Sequence, residues 1–400
     1  MSKILFLNGN AHGHMNPTLP LVKELVSRGQ EVIYFSTVEF KQKIEAAGAE
    51  FIDYGIQLKQ FFEGYRPSGE HPFYSLVEFI IKMDRTVVPL VLEKIKDAGI
   101  DLIIHDAMLG GGNIVARMLK LPAVCSCTSF AMNKPPLPLH MLEPGFHPQL
   151  DLLYKELKEA GMEWNVDNLE IMDIFFKKEN LNLVFTSKMF QPEGESFDES
   201  FRFVGPSISV REEKNDPLLE ELETGTTIYI SLGTINNQCM DFYTKCMEAF
   251  GGRKYKVIMS VGNKVDMAAF GEIPGNIIIR NHVPQLEVLK RTSVFISHCG
   301  LNSVNEALYY GVPVIAVPQA NDQPMVARRL VNLGAGLCMK MSEITPELLR
   351  DYVTQILANG SYKQKSIELG NSFIQAGGYK MAADYILQHK GLIGPNGSRY

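Results

Sequence analysis

Residues 4–53 read ILFLNGNAHGHMNPTLPLVKELVSRGQEVIYFSTVEFKQKIEAAGAEFID. The run 4–7 is wholly apolar, as a strand buried on both faces must be. Residues 17–28 then bring Leu19, Val22, Leu25 and Val26 to one helical face, and Gly29 closes the helix. A strand at 31–35, a helix over 39–47 ended by Gly48, and a strand at 50–53 repeat the cycle. Strand, helix, strand at this cadence predicts a parallel sheet with helices on both faces.

The cadence returns at 101–105, 111–120 and 123–127. After the polar stretch 211–216 and Pro217 a second series begins, with strands at 227–231, 255–260, 276–280, 294–297 and 314–317. Helices are expected over 346–358, 362–375 and 380–389. A chain of 400 residues exceeds one comfortable core, so two domains are expected. The expected division is an N-terminal domain over 1–205, a linker over 206–220 and a C-terminal domain over 221–375. A closing helix that packs back on the first domain, with a loose tail, fills 376–400. The stretches 55–98 and 130–179 lack clear strands but are rich in aromatic residues and methionine, among them Phe61, Phe62, Tyr65, Phe73, Tyr74, Phe79, Met141, Trp164 and Phe176. Helical core and the wall of a hydrophobic pocket both fit such residues.

Apolar residues at 46% and charged residues at 21% exclude wholesale disorder. A net charge of -6 argues against a nucleic-acid binder, which needs a basic face. The apolar run at 4–7 is too short for a signal-peptide core, and no run of about 18 apolar residues offers a membrane span. A cytoplasmic setting is the expectation. Six scattered cysteines, with Cys125 and Cys127 lacking a matching second pair, read as buried free thiols rather than a zinc site. No Asp-x-Asp pair occurs to hold a metal on a diphosphate, so neither metal nor other cofactor is expected. No G-x-G-x-x-G follows the first strand and no Walker lysine is present, which disfavours a dehydrogenase or a kinase.

In open parallel sheets, ligands bind beyond the carboxyl ends of the strands. Five reactive clusters fall there: residues 9–14, His105 with Asp106, Gly233 with Thr234, residues 298–300, and residues 321–323. If the two halves face each other, all five converge on one cleft. His14 precedes Pro17 in the expected loop, and a carboxylate such as Asp106 on one ring nitrogen would leave the other to take a proton. His12 competes for that role, and a structural histidine at a strand-helix turn is the plainer reading. At residues 298–303, Gly300 permits close approach, and amides near Asn302 and Ser303 can hold phosphate oxygens at the helix end. His298 adds a donor, neutral or charged. An ordinary N-cap by Asn302 or Ser303 explains the same residues. Glu306 could accept from two ribose hydroxyls, or be a plain helix carboxylate.

These residues resemble the family 1 (UDP-dependent) glycosyltransferases of GT-B fold, particularly bacterial macrolide and flavonoid glucosyltransferases. The loop Gly13-His14-Met15-Asn16-Pro17 is similar to that family's G-H-x-N-P. The segment Val283-Pro284-Gln285, then residues 298–307, Pro313, Pro318 and Asp322-Gln323, are similar to its donor signature in order and spacing. The resemblance spans nearly the whole chain and implies an α/β fold with two Rossmann-like doubly wound domains facing each other across a cleft. It implies that His14 is the base, oriented by Asp106, and that an α-linked donor is inverted to a β-glycoside. It further implies that Thr234, His298, Asn302 and Ser303 hold the diphosphate without a metal, with Gly233 and Gly300 also among the donor-binding residues. Glu306 binds the ribose, the backbone around Val283 meets the uracil, Asp322 with Gln323 contacts the sugar hydroxyls, and Gln285 is a further donor-binding residue. His282 stands where relatives often carry a stacking tryptophan. The implied partners are UDP-glucose and a small hydrophobic hydroxyl-bearing acceptor of flavonoid, polyketide or macrolide type, with no nucleic acid and no membrane anchor.

Two rival functions fit a nucleotide-sugar cleft. A nucleotide-sugar epimerase would consume UDP-sugar without an acceptor. A non-catalytic accessory protein would keep the cleft but lose one of His14 and Asp106, and both are present.

Overall fold

The computed structural model describes residues 2–108, 111–209, 216–222, 225–234 and 236–392. The core of the expected linker, residues 210–215, and most of the expected tail, residues 393–400, lie outside the described residues. The chain divides into two compact units. The first comprises Met1–Phe185, Glu195–Ser207 and Gly377–Tyr400, and the second Thr186–Gly194 and Ile208–Ala376.

In the first unit β1 (Lys3–Leu7), β2 (Glu31–Ser36), β3 (Glu50–Asp53), β4 (Leu102–Asp106), β5 (Ala123–Cys127), β6 (Asn182–Val184) and β7 (Phe201–Phe203) form one sheet, ordered β3-β2-β1-β4-β5-β6-β7. Every pairing is parallel. The two-residue period of the strands sorts their side chains onto two faces. Ile4, Phe6, Leu102 and Ile104 pack with Met15, Leu21, Val22 and Leu25 of the helix His12–Ser27, and with Ala382, Ala383 and Ile386 of the closing helix Gly378–Leu392. Leu5, Leu7 and Ile103 pack on the opposite face, against Val77, Ile81 and Val88 of the helix Pro72–Ile95.

Two helices in this unit depart from the expected bounds. Helix His12–Ser27 begins five residues before Pro17, with Pro17 and Pro20 inside it, so His14 sits in its first turn rather than in a loop. Proline lacks the N–H that the helical ladder needs, which is why the sequence pattern reads as a helix start there. Residues 39–47 divide into a short 3₁₀ turn, Val38–Phe40, and the helix Lys41–Ala46. The stretches without strands hold the helices Ile56–Gly64, Pro72–Ile95, Pro148–Trp164 and Ile171–Phe175. Tyr74 and Trp164 are buried in their core, Phe61, Phe73, Phe79 and Phe176 pack against it half-buried, and Phe62 is exposed.

In the second unit β8 (Thr227–Ser231), β9 (Lys256–Ser260), β10 (Ile277–Arg280), β11 (Val294–Ser297), β12 (Val314–Ala316) and β13 (Gly336–Cys338) form a parallel sheet ordered β10-β9-β8-β11-β12-β13. Residues Thr186–Gly194 belong to this unit because its side chains hold them. Arg329 donates to the carbonyls of Met189, Phe190 and Gln191, at 2.7, 3.0 and 3.2 Å. Thr186 Oγ1 donates to Asn305 Oδ1 at 3.1 Å, and Ser372 Oγ to Ser187 Oγ at 2.7 Å.

All six cysteines are free; Cys125, Cys127, Cys246 and Cys299 are buried, whereas Cys239 is half-buried and Cys338 exposed, contrary to the uniform burial expected. Among the described residues no helix is long and apolar enough to cross a membrane.

Candidate active site

A doubly wound sheet offers its ligand crevice where the strand order reverses. In the first unit that point lies between β1 and β4, and in the second between β8 and β11.

At the first switch point, strand alternation puts Asp106 on the face covered by the helix His12–Ser27. His14 Nδ1 there meets Asp106 Oδ2 at 2.6 Å. The carboxylate side chain is 1% exposed and the imidazole 22%, so the ring bridges a buried charge and solvent. Asp106 Oδ1 accepts the Met108 N–H at 2.8 Å, and Thr128 Oγ1, beyond the end of β5, lies 3.0 Å from the same Nδ1. With Nδ1 committed to the carboxylate, a neutral ring carries its basic lone pair on Nε2. Asn8 steadies the helix start beneath the histidine. Its Nδ2 lies 2.9 Å from the His14 carbonyl, 3.0 Å from Thr18 Oγ1 and 2.7 Å from the Tyr34 hydroxyl. Burial pushes the Tyr34 phenol well up, so it stays protonated within this network. The rival His12 is turned elsewhere, with Nε2 3.4 Å from Glu39 and its ring edge-on to Phe40.

The second switch point is built by packing. The chain leaves β11 through His298, takes a left-handed turn at Cys299 (φ 68°) and enters the helix Leu301–Tyr309 with Gly300 as its N-cap. A methyl group on Gly233 or on Gly300 would lie 2.6 Å from His298 Nε2, so both glycines are the space into which the imidazole fits. Burial pushes that imidazole down to about 4, which makes it neutral at pH 7 and removes the charged alternative. Its Nδ1 has no hydrogen-bond partner among the described residues. Asn302 and Ser303 stand at the second and third helical positions, not at the cap, and no side chain caps this end. First-turn amides carry the positive end of the helix dipole.

Around this point Tyr229 of β8 donates its hydroxyl to Gln285 Oε1 at 2.9 Å, and Gln285 Nε2 donates to Glu306 Oε2 at 2.6 Å. Glu306 is thus a buried, directed carboxylate rather than a plain surface one. Gln323 is buried and turned back on its own loop, where Oε1 accepts the N–H groups of Gln319 and Ala320 at 2.8 and 3.1 Å. Asp322 occupies the N-cap position of the helix Gln323–Asn332 without a side-chain capping bond. Thr234 and His282 are exposed and Val283 is half-buried. Thr128, Asn8 and Tyr229 escaped the sequence reading. Thr128 and Asn8 directly follow strands, so the carboxyl-end rule could have found them; Tyr229, inside an apolar strand, gave no signal.

Residues 245–377 match the C-terminal domain model of the erythromycin biosynthesis protein CIII-like family. The chain is 35% identical over 398 residues to YojK of Bacillus subtilis (strain 168), an uncharacterized UDP-glucosyltransferase, with 97% of each covered. It is also 35% identical to the NDP-glycosyltransferase YjiC of Bacillus licheniformis, with 96% of each covered. The chain belongs to the family 1 glycosyltransferases. The calicheamicin glycosyltransferase CalG4 superposes on this glycosyltransferase with a TM-score of 0.84 at 26% identity, covering 99% of this chain and 100% of that one. The two Rossmann-like units of this glycosyltransferase are accordingly those of the GT-B fold.

Proposed function

We propose that this glycosyltransferase moves glucose from UDP-glucose to a hydroxyl of a small hydrophobic acceptor of natural-product type, without a metal and with inversion to a β-glycoside. The observation that carries the reading is the 2.6 Å contact between half-buried His14 and buried Asp106. The first unit takes the acceptor. His14 Nε2 accepts the proton of its hydroxyl, the oxygen attacks the anomeric carbon, and the bond to the diphosphate breaks on the opposite side. Asp106 holds the tautomer and stabilises the imidazolium as it forms. A base so placed contributes about 10²–10⁴-fold in rate.

The second unit takes the donor. First-turn amides of the helix Leu301–Tyr309, with Thr234 and neutral His298, face the charge that collects on the leaving diphosphate. Glu306, aimed by Gln285, receives the ribose hydroxyls. The backbone at Val283 meets the uracil, with His282 beside it, and Asp322 with Gln323 reads the sugar. Glucose on UDP is supported by the description of YojK as a UDP-glucosyltransferase. A natural-product acceptor is supported by the demethyllactenocin mycarosyltransferase and oleandomycin glycosyltransferase among the relatives.

The test is mass spectrometry of a phenolic acceptor panel incubated with UDP-glucose and EDTA. A gain of one hexosyl unit is expected. Turnover that requires an added divalent ion would overturn metal independence, and equal turnover with a TDP-deoxysugar would overturn the donor choice.

A further inference from the structure

A wholly buried histidine interrupts the apolar face of β4 that lies opposite Asp106. His105 is 0% exposed, pairs in register with Leu7 and shares its face of β4 with Ile103, which belongs to the apolar cluster on that side of the sheet. Such a group is costly inside a sheet unless its nitrogens are hydrogen-bonded. Both are. Nδ1 donates to the backbone carbonyl of Asp106 at 3.0 Å, and Nε2 lies 3.1 Å from Glu179 Oε1. Glu179 is itself anchored at the start of β6, where its N–H donates to Asn182 Oδ1 at 2.9 Å and its carbonyl accepts from Asn182 Nδ2 at 2.7 Å.

Gly112, which opens the helix Gly112–Leu119, is seated on the same side chain. A methyl group on Gly112 would lie 2.2 Å from His105 Cβ, and one on Gly111 would lie 3.3 Å from Asp84 Oδ1. Asp84 is fully buried and pairs with fully buried Lys177 at 3.2 Å. The peptide carrying Asp106 is therefore held from the face of β4 that lies away from His14.

We propose that His105 and Glu179 are positioning residues, which fix the Asp106 peptide so that its carboxylate meets His14 at the correct angle. The inference rests on the reading of His14 and Asp106 as the proton-transfer pair. A general base loses rate steeply when displaced, whereas substrate binding need not change. Glu179 is partly exposed, so its substitution tests the relay without emptying the core.

Steady-state kinetics of Glu179→Ala should show kcat lowered about tenfold, with KM for both substrates within about twofold. Glu179→Gln, which keeps an acceptor oxygen, should return to within about threefold of the parent kcat. Added to Asp106→Asn, Glu179→Ala should cost less than about twofold, because the group it positions is already disabled. Unchanged kcat in Glu179→Ala, or a full tenfold loss on top of Asp106→Asn, would overturn the proposal while leaving the catalytic pair intact. Full activity of Asp106→Asn alone is a different result, and it removes the pair itself.

Discussion

The two units have the same strand order at their centres, and each places a histidine at its switch point, yet the two histidines live in opposite surroundings. His14 sits half-exposed on a buried carboxylate 2.6 Å away. His298 is wedged between two glycines, and burial pushes it down to about 4. A proton-transfer group needs a partner that stabilises its charged form. A group that meets an anion beside a helix end can stay neutral, because the amides supply the field. One topology thus supports two kinds of electrostatics, set by whether the neighbouring strand end carries an aspartate or a glycine.

The largest expected effect separates the two histidines by function. His14→Ala should lower kcat by about 10²–10⁴-fold while UDP affinity, measured by calorimetry, changes less than about twofold. Asp106→Asn should slow turnover strongly but less completely, since the imidazole remains. A large loss of UDP binding in His14→Ala would make that histidine structural and erase the contrast.

The next effect is read from stability. The unfolded chain binds a proton at His298 near its ordinary value of 6.5, whereas the folded chain holds the ring at about 4. Between these values the unfolded state takes up a proton that the folded state refuses, so stability falls as pH drops through the window. The loss attributable to this group is at most about 3 kcal/mol. Thermal unfolding of the parent and His298→Gln from pH 7 to 4 should show a shallower decline in the variant. Parallel declines would mean that burial does not hold the ring neutral.

Much of this contrast was readable in the chain, and its limits have physical causes. β5, β8 and β11 fall where apolar runs predict them, because parallel strands buried on both faces need no alternation. The three-residue strands β6, β7 and β13 (NLV, FRF and GLC) escaped because none is a wholly apolar run, as the equally short β12 (VIA) is. His14 and Asp106 were found through the carboxyl-end rule and the family resemblance, but the helix around His14 was hidden by Pro17 and Pro20. The packing of His298 against Gly233 joins residues 65 positions apart, a closeness no local pattern encodes. The same holds for Tyr229 and Gln285, which are 56 positions apart.

That glycine packing supplies the third prediction. Gly300→Ala should raise the donor KM about tenfold, because its methyl would meet His298 at 2.6 Å and something at the helix end must shift. Gly275→Ala, where an added methyl meets nothing within 4 Å, is the control and should behave as the parent. If both variants keep the parent KM, the space around His298 is not part of donor binding.

The smallest effect concerns a buried hydroxyl. Tyr229 stacks on Phe295 at 4.7 Å between ring centroids and donates to Gln285, whose amide in turn donates to Glu306. The Tyr229 bond fixes which end of the Gln285 amide faces Glu306, since a flipped amide would set oxygen against carboxylate. Tyr229→Phe keeps the stack and removes only the donor, a loss of about 1 kcal/mol. The donor KM should rise about fivefold with kcat nearly unchanged, the reverse of the pattern at His14. A lowered kcat at unchanged KM would place this chain of hydrogen bonds on the chemical step and dissolve the division of labour between the two units.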